Sequence, residues 1–436
     1  MRSFLLAILA SGLFFFAGCG GSSTKSTTSA SNSPGSANNL LAITVSGGPT
    51  ANLANGVLYE NGAFASATIC APGSTSNCTT IDNLLVDTGS TGLRVFDTAV
   101  ASLDLPAANA SNGSQAYDCV AFVSGAYLWG PVEKGDVSLG SETASSVPIH
   151  VISSANTGIP SSCSNGATEN DNTAALLGAN GLLGVGIEPT DCFYAGISVC
   201  DPSAGLSSAP YPAYYTCSGN SCSPAFVATA SQVTNPVALF AKDNNGVIVE
   251  LPAASSPAAT LSGNLVFGIG TESNNQLPSD AAVFTLTCDD FTTDFDGQTY
   301  GITNSTTCAG PASFIDSGSN ALYFPNATNM TECSSNTLVG DLSGLYCPGS
   351  TQNFTATNKG ANGTAKAASF SVANAESLFT NAATAADAVQ PTLAGTNPTG
   401  YGFDWGLPFF YGVNIYNAID GQSMPSGAPG APWWAY

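Results

Sequence analysis

The sequence predicts an all-β protein made of two duplicated lobes with only a few short helices. Most apolar stretches are short, alternate with polar residues and end at Gly, Pro or Asn, which is typical of β-strands joined by turns. One nine-residue segment occurs twice, and each copy is followed at a similar distance by an apolar segment that contains a glycine. The chain is too long for one small β domain, so we expect two lobes of comparable size.

Strand-like stretches continue through both predicted lobes. The clearest of them are residues 56–69, 84–86, 137–139, 246–251 and 265–269. Helical patterns are few. Asn235 followed by Pro236 is a cap and a first-turn proline, which predict a short helix through Ala241. The alanine-rich segment 374–389 is the other helical pattern.

The N-terminus is typical of an export signal that ends at a lipid-attachment site. Residues 1–18 contain an early arginine and an apolar run too short to cross a bilayer, so they predict a signal peptide. Small residues stand before Cys19, which resembles the lipobox of bacterial lipoproteins, and Cys19 would then carry a lipid anchor in the membrane. The alternative is an ordinary cleaved signal with an incidental cysteine. We expect a protein of the bacterial cell envelope, facing the periplasm or the exterior, or otherwise a secreted one.

Residues 19–39 are rich in Gly, Ser, Thr and Asn and predict a flexible tether, because that composition cannot bury a core. An N-terminal β lobe is then predicted at 40–245 and a C-terminal β lobe at 246–436. Each lobe holds one copy of the repeat. The second lobe ends in a Gly- and Pro-rich tail with three aromatic residues, which would either fray or cover an apolar groove.

Twelve cysteines remain when Cys19 is set aside from the total of 13. An even number suits six disulfides in an oxidising compartment, and pairing each cysteine with its neighbour in the sequence is the simplest arrangement. The twelve are Cys70, Cys78, Cys119, Cys163, Cys192, Cys200, Cys217, Cys222, Cys288, Cys308, Cys333 and Cys347. Zinc is the competing use of cysteine, but no Cys-x-x-Cys pair occurs and His150 is the only histidine. We therefore expect neither a metal nor a cofactor.

The charge balance is strongly acidic. Charged residues make up 8% of the chain and the net charge is −22, so nucleic acid is excluded as a partner on electrostatic grounds. So acidic a surface suits an acidic medium, where many carboxylates are protonated and repel one another less. Apolar burial and disulfides, more than ion pairs, must then hold the fold, which we expect to be monomeric.

The internal repeat consists of residues 85–93 (LVDTGSTGL) and residues 314–322 (FIDSGSNAL). The copies match at Asp, Gly, Ser and the final Leu, with Ser317 in place of Thr88. Their later partners are residues 180–184 (NGLLG) and residues 404–407 (DWGL). The intervals from aspartate to closing glycine, 87 to 184 and 316 to 406, are 97 and 90 residues, and this near-equality argues for duplicated lobes.

An apolar pair followed by Asp-Thr/Ser-Gly-Ser, once per lobe and with an apolar segment and glycine behind each, resembles the signature of the pepsin-like aspartic proteases. The resemblance covers nearly the whole mature chain and implies their two-lobed fold with pseudo-twofold symmetry. Residues 406–421 (GLPFFYGVNIYNAIDG) resemble more closely a bacterial lipoprotein family filed as a domain of unknown function. The resemblance to this second family implies no particular activity.

The first resemblance implies that Asp87 and Asp316 face each other at the lobe interface as a catalytic pair. Two carboxylates about 3 Å apart cannot both ionise, so they share one proton. The ionised partner would take a proton from a water that attacks a peptide carbonyl, while the protonated partner donates to the carbonyl oxygen.

The same resemblance gives roles to the neighbours of the two aspartates. Gly89 and Gly318 would let the backbone turn where a Cβ would collide. Thr88 and Ser317 would hydrogen-bond across the lobes beneath the pair. The outer carboxylate oxygens would be bonded by Ser90 and Ser319.

The chain departs from the pepsin-like pattern at the flap, a hairpin whose tyrosine covers the substrate. The expected place of that tyrosine falls near Val123. Either Tyr127, Trp129 or Phe122 covers the cleft instead, or nothing does and the groove is altered or the protein is inactive.

Two further departures lie near the motifs. Arg94 stands where the family usually has an aromatic residue; it would be either a surface arginine with its stem on apolar neighbours or a cleft cation that binds an acidic substrate or lowers a nearby carboxylate pKa. Asp404 replaces an apolar residue of the closing segment and would be a third acid near the cleft or the sign of a local rearrangement. His150, in a strand-like run, is expected to be structural.

Four aspartates before Gly297 suggest calcium, but no glutamate closes a twelve-residue loop. Asp296 and Gly297 lie between Phe295 and Tyr300 and favour a hairpin turn.

Two functions follow from these observations. The first is an extracytoplasmic, lipid-anchored aspartic endopeptidase acting on a peptide or protein substrate. The second is a noncatalytic pepsin-like lipoprotein that binds a peptide, protein or glycan in the same cleft. The intact pair of motifs favours the first, and the missing flap tyrosine favours the second.

Overall fold

The structure of the protein is a computed structural model. It describes residues 39–49, 59–155, 158–164, 169–194, 196–209, 213–302, 308, 310–326, 329–334, 342–381, 386–397 and 402–436. The predicted signal peptide, Cys19 and all of the predicted tether before residue 39 lie outside these residues.

Strands dominate the described part of the chain, which confirms the all-β prediction. The strands are β1 (Leu40–Ser46), β2 (Gly62–Cys70), β3 (Cys78–Asp87), β4 (Thr91–Phe96), β5 (Tyr117–Ala121), β6 (Ala126–Leu139), β7 (Glu142–Ile152), β8 (Glu169–Asn170), β9 (Gly181–Val185), β10 (Phe193–Tyr194), β11 (Ile197–Ser198), β12 (Tyr214–Ser218), β13 (Ser221–Pro224), β14 (Gly246–Glu250), β15 (Leu261–Phe267), β16 (Val283–Thr285), β17 (Thr292–Phe295), β18 (Gln298–Tyr300), β19 (Phe314–Ile315), β20 (Leu322–Phe324), β21 (Gln352–Lys359), β22 (Ala365–Val372), β23 (Ala394–Thr396), β24 (Asp404–Trp405), β25 (Ile415–Ala418) and β26 (Trp433–Ala435).

The helices are short. The α-helices are α1 (Asp97–Val100), α2 (Ser161–Ser164), α3 (Ala174–Leu177) and α4 (Ala375–Thr380), and the 3₁₀ turns are Pro202–Ala204, Thr229–Ser231, Pro236–Leu239 and Leu407–Phe410. Asn235 caps its element as predicted, but that element is a 3₁₀ turn that ends at Leu239. Asn374 caps α4, which ends at Thr380, earlier than the helical pattern at 374–389 suggests. In the described part of the chain, no helix has the length and apolar character needed to cross a membrane.

One large sheet runs through both halves of the chain. Its order is β13-β12-β5-β6-β7-β4-β9-β3-β2-β1-β15-β14-β25-β26-β16. The connection between the halves is β1, which pairs antiparallel with β2 on one side and with β15 on the other. The first strand of the predicted N-terminal lobe therefore also pairs with β15 of the predicted C-terminal lobe. The lobe boundary at residues 245 and 246 stays a prediction.

The strands around the two repeats have the same topology. In the first half the order is β7-β4-β9-β3, and in the second half it is β23-β20-β24-β19. The strands that lead into the aspartates, β3 and β19, pair parallel with the closing strands β9 and β24. The closing strands in turn pair antiparallel with the strands after the motifs, β4 and β20. Each of these last two strands pairs parallel with the fourth member of its set. The duplication predicted from the sequence repeat is therefore confirmed.

The C-terminal tail is part of the large sheet, in contrast to both expectations for it. Strand β26 lies between β16 and β25 and pairs antiparallel with each. Trp433 and Trp434 are buried, and the Tyr436 ring packs against Phe284 and Phe409. The tail neither frays nor covers a groove, because its backbone hydrogen bonds and its aromatic side chains both lie inside the second half.

Six disulfides join cysteines that are neighbours in the sequence, the arrangement suggested as the simplest. The pairs are Cys70–Cys78, Cys119–Cys163, Cys192–Cys200, Cys217–Cys222, Cys288–Cys308 and Cys333–Cys347. All but one close loops of 20 residues or fewer, so they hold local loops more than they connect distant parts of the fold.

The hairpin turn predicted at Asp296 and Gly297 is present. Strands β17 and β18 pair antiparallel with Phe295 opposite Gln298, and the two turn residues have φ angles of 48° and 75°. Such a two-residue turn with both φ angles positive is a common hairpin connection, which explains the Asp-Gly pair without calcium.

Candidate active site

Strands β3 and β19 bring the two repeated aspartates together. Asp87 is the last residue of β3, and Asp316 follows β19 directly. The Gly89 N–H donates to Asp87 Oδ1 at 2.9 Å and to Asp316 Oδ1 at 3.2 Å, so one peptide group binds both carboxyls. The Asp87 carboxyl also lies within hydrogen-bonding reach of the Asp316 carboxyl.

The glycine of each motif is required by the closeness of the opposite aspartate. A Cβ on Gly89 would lie 2.5 Å from Cγ of Asp316, and a Cβ on Gly318 would lie 2.7 Å from Cγ of Asp87. Real Cβ atoms do not approach other atoms so closely. Any larger residue at either position would push the two carboxyls apart.

Reciprocal hydrogen bonds join the two motifs beneath the carboxyls. The Thr88 hydroxyl donates to the Ile315 carbonyl at 3.2 Å and accepts the Ser317 N–H at 2.9 Å. In the same way, the Ser317 hydroxyl donates to the Val86 carbonyl at 2.7 Å and accepts the Thr88 N–H at 3.1 Å. Both side chains are buried, so these four bonds fix the distance and the relative orientation of the two strands.

Each motif serine bonds the outer oxygen of its own aspartate. The Ser90 hydroxyl donates to Asp87 Oδ2 at 2.5 Å, and the Ser319 hydroxyl lies 2.8 Å from Asp316 Oδ2. The Gly318 N–H donates to Asp316 Oδ1 at 2.7 Å. These contacts hold both carboxyl groups in place.

Burial and the neighbouring charge act together on Asp87. Its side chain is 6% exposed, and burial, followed by the charge and hydrogen bond of Asp316, raises the Asp87 pKa well above its ordinary value. Asp316 accepts two backbone N–H groups and Asp87 accepts one, an arrangement that favours the ionised form at Asp316 more than at Asp87. A protonated and an ionised carboxyl in contact can donate and accept protons at the same reacting molecule.

Asp404 lies beside the second motif. It is 8% exposed, and its Oδ2 lies 2.6 Å from the Ser319 hydroxyl oxygen. Burial, and then the charge of Asp316, raises the Asp404 pKa well above its ordinary value. Of the two interpretations of Asp404, the structure fits a third acid next to the aspartate pair.

The aromatic residues proposed to cover the cleft have other contacts. Tyr127 and Trp129 pack in the cluster around the Cys119–Cys163 disulfide. Phe122 packs on the apolar cluster behind the first motif. Val123 is 47% exposed at the tip of the hairpin that joins β5 and β6.

Sequence reasoning missed Tyr59, which lies beside the aspartates. Its hydroxyl donates to the Gly318 carbonyl at 3.4 Å. Burial, then Tyr323 and the two aspartates, raise the Tyr59 pKa, so the hydroxyl stays a donor. An aromatic residue before a strand is a weak signal, and nothing else in the sequence indicates this contact.

Asn61 was also missed, although it joins the first motif's half to three segments of the second. Its Nδ2 donates to the carbonyls of Asn320 and Gln390 at 2.8 and 2.9 Å, and its Oδ1 accepts the Tyr411 hydroxyl at 2.7 Å. The Asn61-Gly62 pair is a turn signal in the sequence, but it does not reveal these distant partners.

Arg94 is neither on the surface nor open to a substrate. Its side chain is 1% exposed and forms ion pairs with Asp118 and, at 3.0 Å, with Asp191. His150 lies in the same group, with Nδ1 2.8 Å from the Arg94 guanidinium. The guanidinium and His150 lower the Asp118 pKa despite its burial, whereas burial and the Asp118 charge raise the Asp191 pKa to about 8. Arg94 therefore lowers a carboxylate pKa inside the first half, and His150 is a buried member of this network.

A family model described as "Protein of unknown function (DUF3443)" matches residues 35–436. Among solved structures, the chain is similar to the aspartic proteinase from Irpex lacteus with 16% identity and a TM-score of 0.45, over 88% of this chain and 94% of that one. No protein with a curated description matches. The chain belongs to the DUF3443 family of proteins of unknown function.

Proposed function

We propose that this protein is an extracytoplasmic, lipid-anchored aspartic endopeptidase. The observation that carries the proposal is the contact between Asp87 and Asp316, since the Gly89 N–H binds both carboxyls. The reciprocal bonds of Thr88 and Ser317 support it, because they hold the two strands that deliver the acids.

The proposed reaction assigns a separate role to each acid. Ionised Asp316 accepts a proton from a water whose oxygen attacks the peptide carbonyl carbon, and Asp87 donates its proton to the carbonyl oxygen. The tetrahedral intermediate then breaks its C–N bond as Asp316 returns the proton to the leaving nitrogen. Asp87 takes back a proton from one of the two hydroxyls, which leaves a carboxylic acid product and the starting protonation state.

The proposed location rests on the disulfides and on the N-terminal sequence. Six disulfides suit an oxidising compartment. Replacing Cys19→Ala in the full chain should move the protein from the membrane fraction to the soluble fraction. A variant that stays in the membrane fraction would contradict the anchor without bearing on catalysis.

A noncatalytic binding function is the second candidate, and the flap favours it. The hairpin tip presents Val123, which is 47% exposed, where the pepsin-like pattern has the flap tyrosine. A protein that only binds a peptide, protein or glycan in this cleft would need the cleft but not the shared proton.

Proteolysis of a denatured protein at acid and neutral pH separates the two candidates. The arms are the wild type with and without a transition-state-like aspartic protease inhibitor, the Asp316→Asn variant and an Asp296→Asn control. Asp296 is an exposed turn residue with φ 48°, a conformation that Asn also tolerates. Cleavage that the inhibitor and Asp316→Asn abolish, and Asp296→Asn retains, is the expected result. No cleavage at any pH by the folded wild type would leave the binding function.

A further inference from the structure

Ser319 lies between two carboxyl groups. Its hydroxyl oxygen is 2.8 Å from Asp316 Oδ2 and 2.6 Å from Asp404 Oδ2. A serine hydroxyl has one proton to donate and can otherwise only accept. If Ser319 donates to one carboxyl, the other must donate to Ser319, and so one of the two acids must itself be protonated.

The other contacts of the two acids decide which one carries that proton. Asp316 Oδ1 accepts the Gly318 N–H at 2.7 Å and the Gly89 N–H at 3.2 Å, and hydrogen bonds of this kind stabilise an ionised carboxylate. Asp404 Oδ1 is buried and has no hydrogen-bond partner among the described residues. An ionised Asp404 would leave a buried charge with one hydrogen bond, which is far costlier than a neutral acid.

The groups that face Asp404 also disfavour its charge. In the sheet, Asp404 of β24 stands opposite Phe314 of β19 and Tyr323 of β20. The charges that act on it are those of Asp316 and Asp87, and both raise its pKa in addition to burial. The Tyr323 pKa is raised as well, chiefly by burial, so its hydroxyl stays neutral and does not compensate a charge on Asp404.

We propose that Asp404 is a positioning residue: a protonated third carboxyl that donates to Ser319, so that the Ser319 proton is committed to Asp316 and Asp316 is the ionised member of the pair. The catalytic part of this inference rests on the proposed function. The hydrogen-bond chain runs from Asp404 Oδ2 to Ser319 Oγ to Asp316 Oδ2. It makes the two aspartates unequal even though their motifs are alike.

The first motif provides the internal comparison. The position that matches Asp404 is Leu182, since Leu85 pairs with Leu182 as Phe314 pairs with Asp404. Ser90 therefore donates to Asp87 without a second acid behind it. Asp404→Leu turns the second site into a copy of the first, whereas Asp404→Asn keeps the size and a hydrogen-bond donor but can never be charged.

The pH profile of peptide cleavage distinguishes the two protonation patterns. If Asp404 is neutral, Asp404→Leu weakens the hydrogen bond from Ser319 to Asp316, and the acid limb of the kcat/KM profile moves to higher pH by about half a unit. Asp404→Asn moves the acid limb less in the same direction. If Asp404 were ionised instead, Asp404→Asn would remove a negative charge and move the acid limb down by about one unit or more. That downward shift would overturn the proposal.

A second measurement does not depend on catalysis. In full-chain protein with ¹³C-labelled aspartate carboxyls, the Asp404 signal is the one that disappears in Asp404→Asn. We expect it at the position of a protonated carboxyl at pH 7, and a signal at the ionised position would overturn the proposal even in an active enzyme. A protonated signal in a protein that cleaves nothing would leave the proton on Asp404 and reject the endopeptidase, so the two failures are distinguishable. Thermal unfolding of both variants checks that they fold.

Discussion

The two aspartate motifs have the same backbone and different surroundings. Both aspartates follow a strand paired parallel with a closing strand, and both have a serine on the outer oxygen. Behind the first motif, Arg94 of β4 stands opposite Leu182, whereas in the second motif Tyr323 of β20 stands opposite Asp404. In the first half the charged residue of this pair, Arg94, lies on the strand after the motif. In the second half the carboxyl residue, Asp404, lies on the closing strand. Symmetry sets the distance between the two carboxyls, and the asymmetric residues behind them set which one holds a proton.

The cores behind the motifs differ in the same way. The first half buries the ion network of Arg94, Asp118 and Asp191. In the second half Tyr323 holds the position that matches Arg94, and aromatic rings pack at the neighbouring positions: Phe403 stacks on Trp405 with ring centroids 5.2 Å apart, and Phe324 stacks on Phe403 at 5.6 Å. The duplicated β framework therefore accommodates a buried arginine in one half and a tyrosine in the other at matching positions of the strand after the motif.

The largest expected effect tests whether the two motifs are equally necessary. Asp87→Asn and Asp316→Asn should each lower kcat/KM by roughly 10³-fold, because either change removes one partner of the shared proton. The measurement is cleavage of a fluorogenic peptide, with Asp296→Asn as the control. A variant of one aspartate that keeps full activity would show that the motifs do not act as a pair.

The next effect tests the ion network of the first half. Arg94→Met should lower the free energy of unfolding by about 3–5 kcal/mol at neutral pH, because it leaves the buried Asp118 carboxylate without the guanidinium that pairs with it. The guanidinium lowers the Asp118 pKa, so its stabilisation is present above about pH 4 and declines as pH falls below that. Chemical denaturation at several pH values measures this.

Lys242→Met is the matched control for that measurement. Lys242 pairs with Glu272 at the surface, where water screens the two charges, so we expect Lys242→Met to change the unfolding free energy far less than Arg94→Met. Equal losses for Arg94→Met and Lys242→Met would contradict the structural role of the buried network.

A smaller effect tests the reciprocal hydrogen bonds that join the two motifs beneath the carboxyls. Thr88→Val should cost about 1–3 kcal/mol of unfolding free energy, because the Ile315 carbonyl and the Ser317 N–H lose their partner. Ser317→Ala should cost a similar amount, since its bonds mirror those of Thr88. Thr88→Ser keeps the hydroxyl and should cost about 1 kcal/mol or less. A Thr88→Val loss no larger than that of Thr88→Ser would show that the crossing hydrogen bonds contribute little.

The last effect concerns two acids, Glu188 and Asp290, where the halves meet. Burial and the charge of Asp289 raise the pKa of Glu188 to about 7 and that of Asp290 to about 8. The folded state then holds more protons than the unfolded chain between about pH 4 and pH 8, so stability is present at acid pH and is lost as pH rises. We expect the unfolding free energy to fall by at least about 1 kcal/mol from pH 5 to pH 8.

Glu188→Gln combined with Asp290→Asn should flatten this pH dependence, and Asp296→Asn should leave it unchanged. A wild type that is more stable at pH 8 than at pH 5 would contradict both the raised pKa values and the expectation of an acidic habitat.

The sequence predicts the pair of aspartates because the motif repeats, and repetition is visible in one dimension. It predicts the disulfides because five of the six pairs close loops of 20 residues or fewer. The burial of Arg94 could not be read in this way, because Asp191 lies 97 residues further along the chain. The contact of Tyr59 with Gly318 and the pairing of the tail strand β26 with β16 could not be predicted for the same reason, since both join segments that are distant in the sequence.

The most direct test of the account is the titration of the Asp87 carboxyl in ¹³C-aspartate-labelled protein, in the wild type and in Asp316→Asn. The account predicts a raised Asp87 pKa in the wild type and a lower one in the variant, because the neighbouring negative charge has been removed. The same Asp87 pKa in both proteins would show that the two acids do not share a proton.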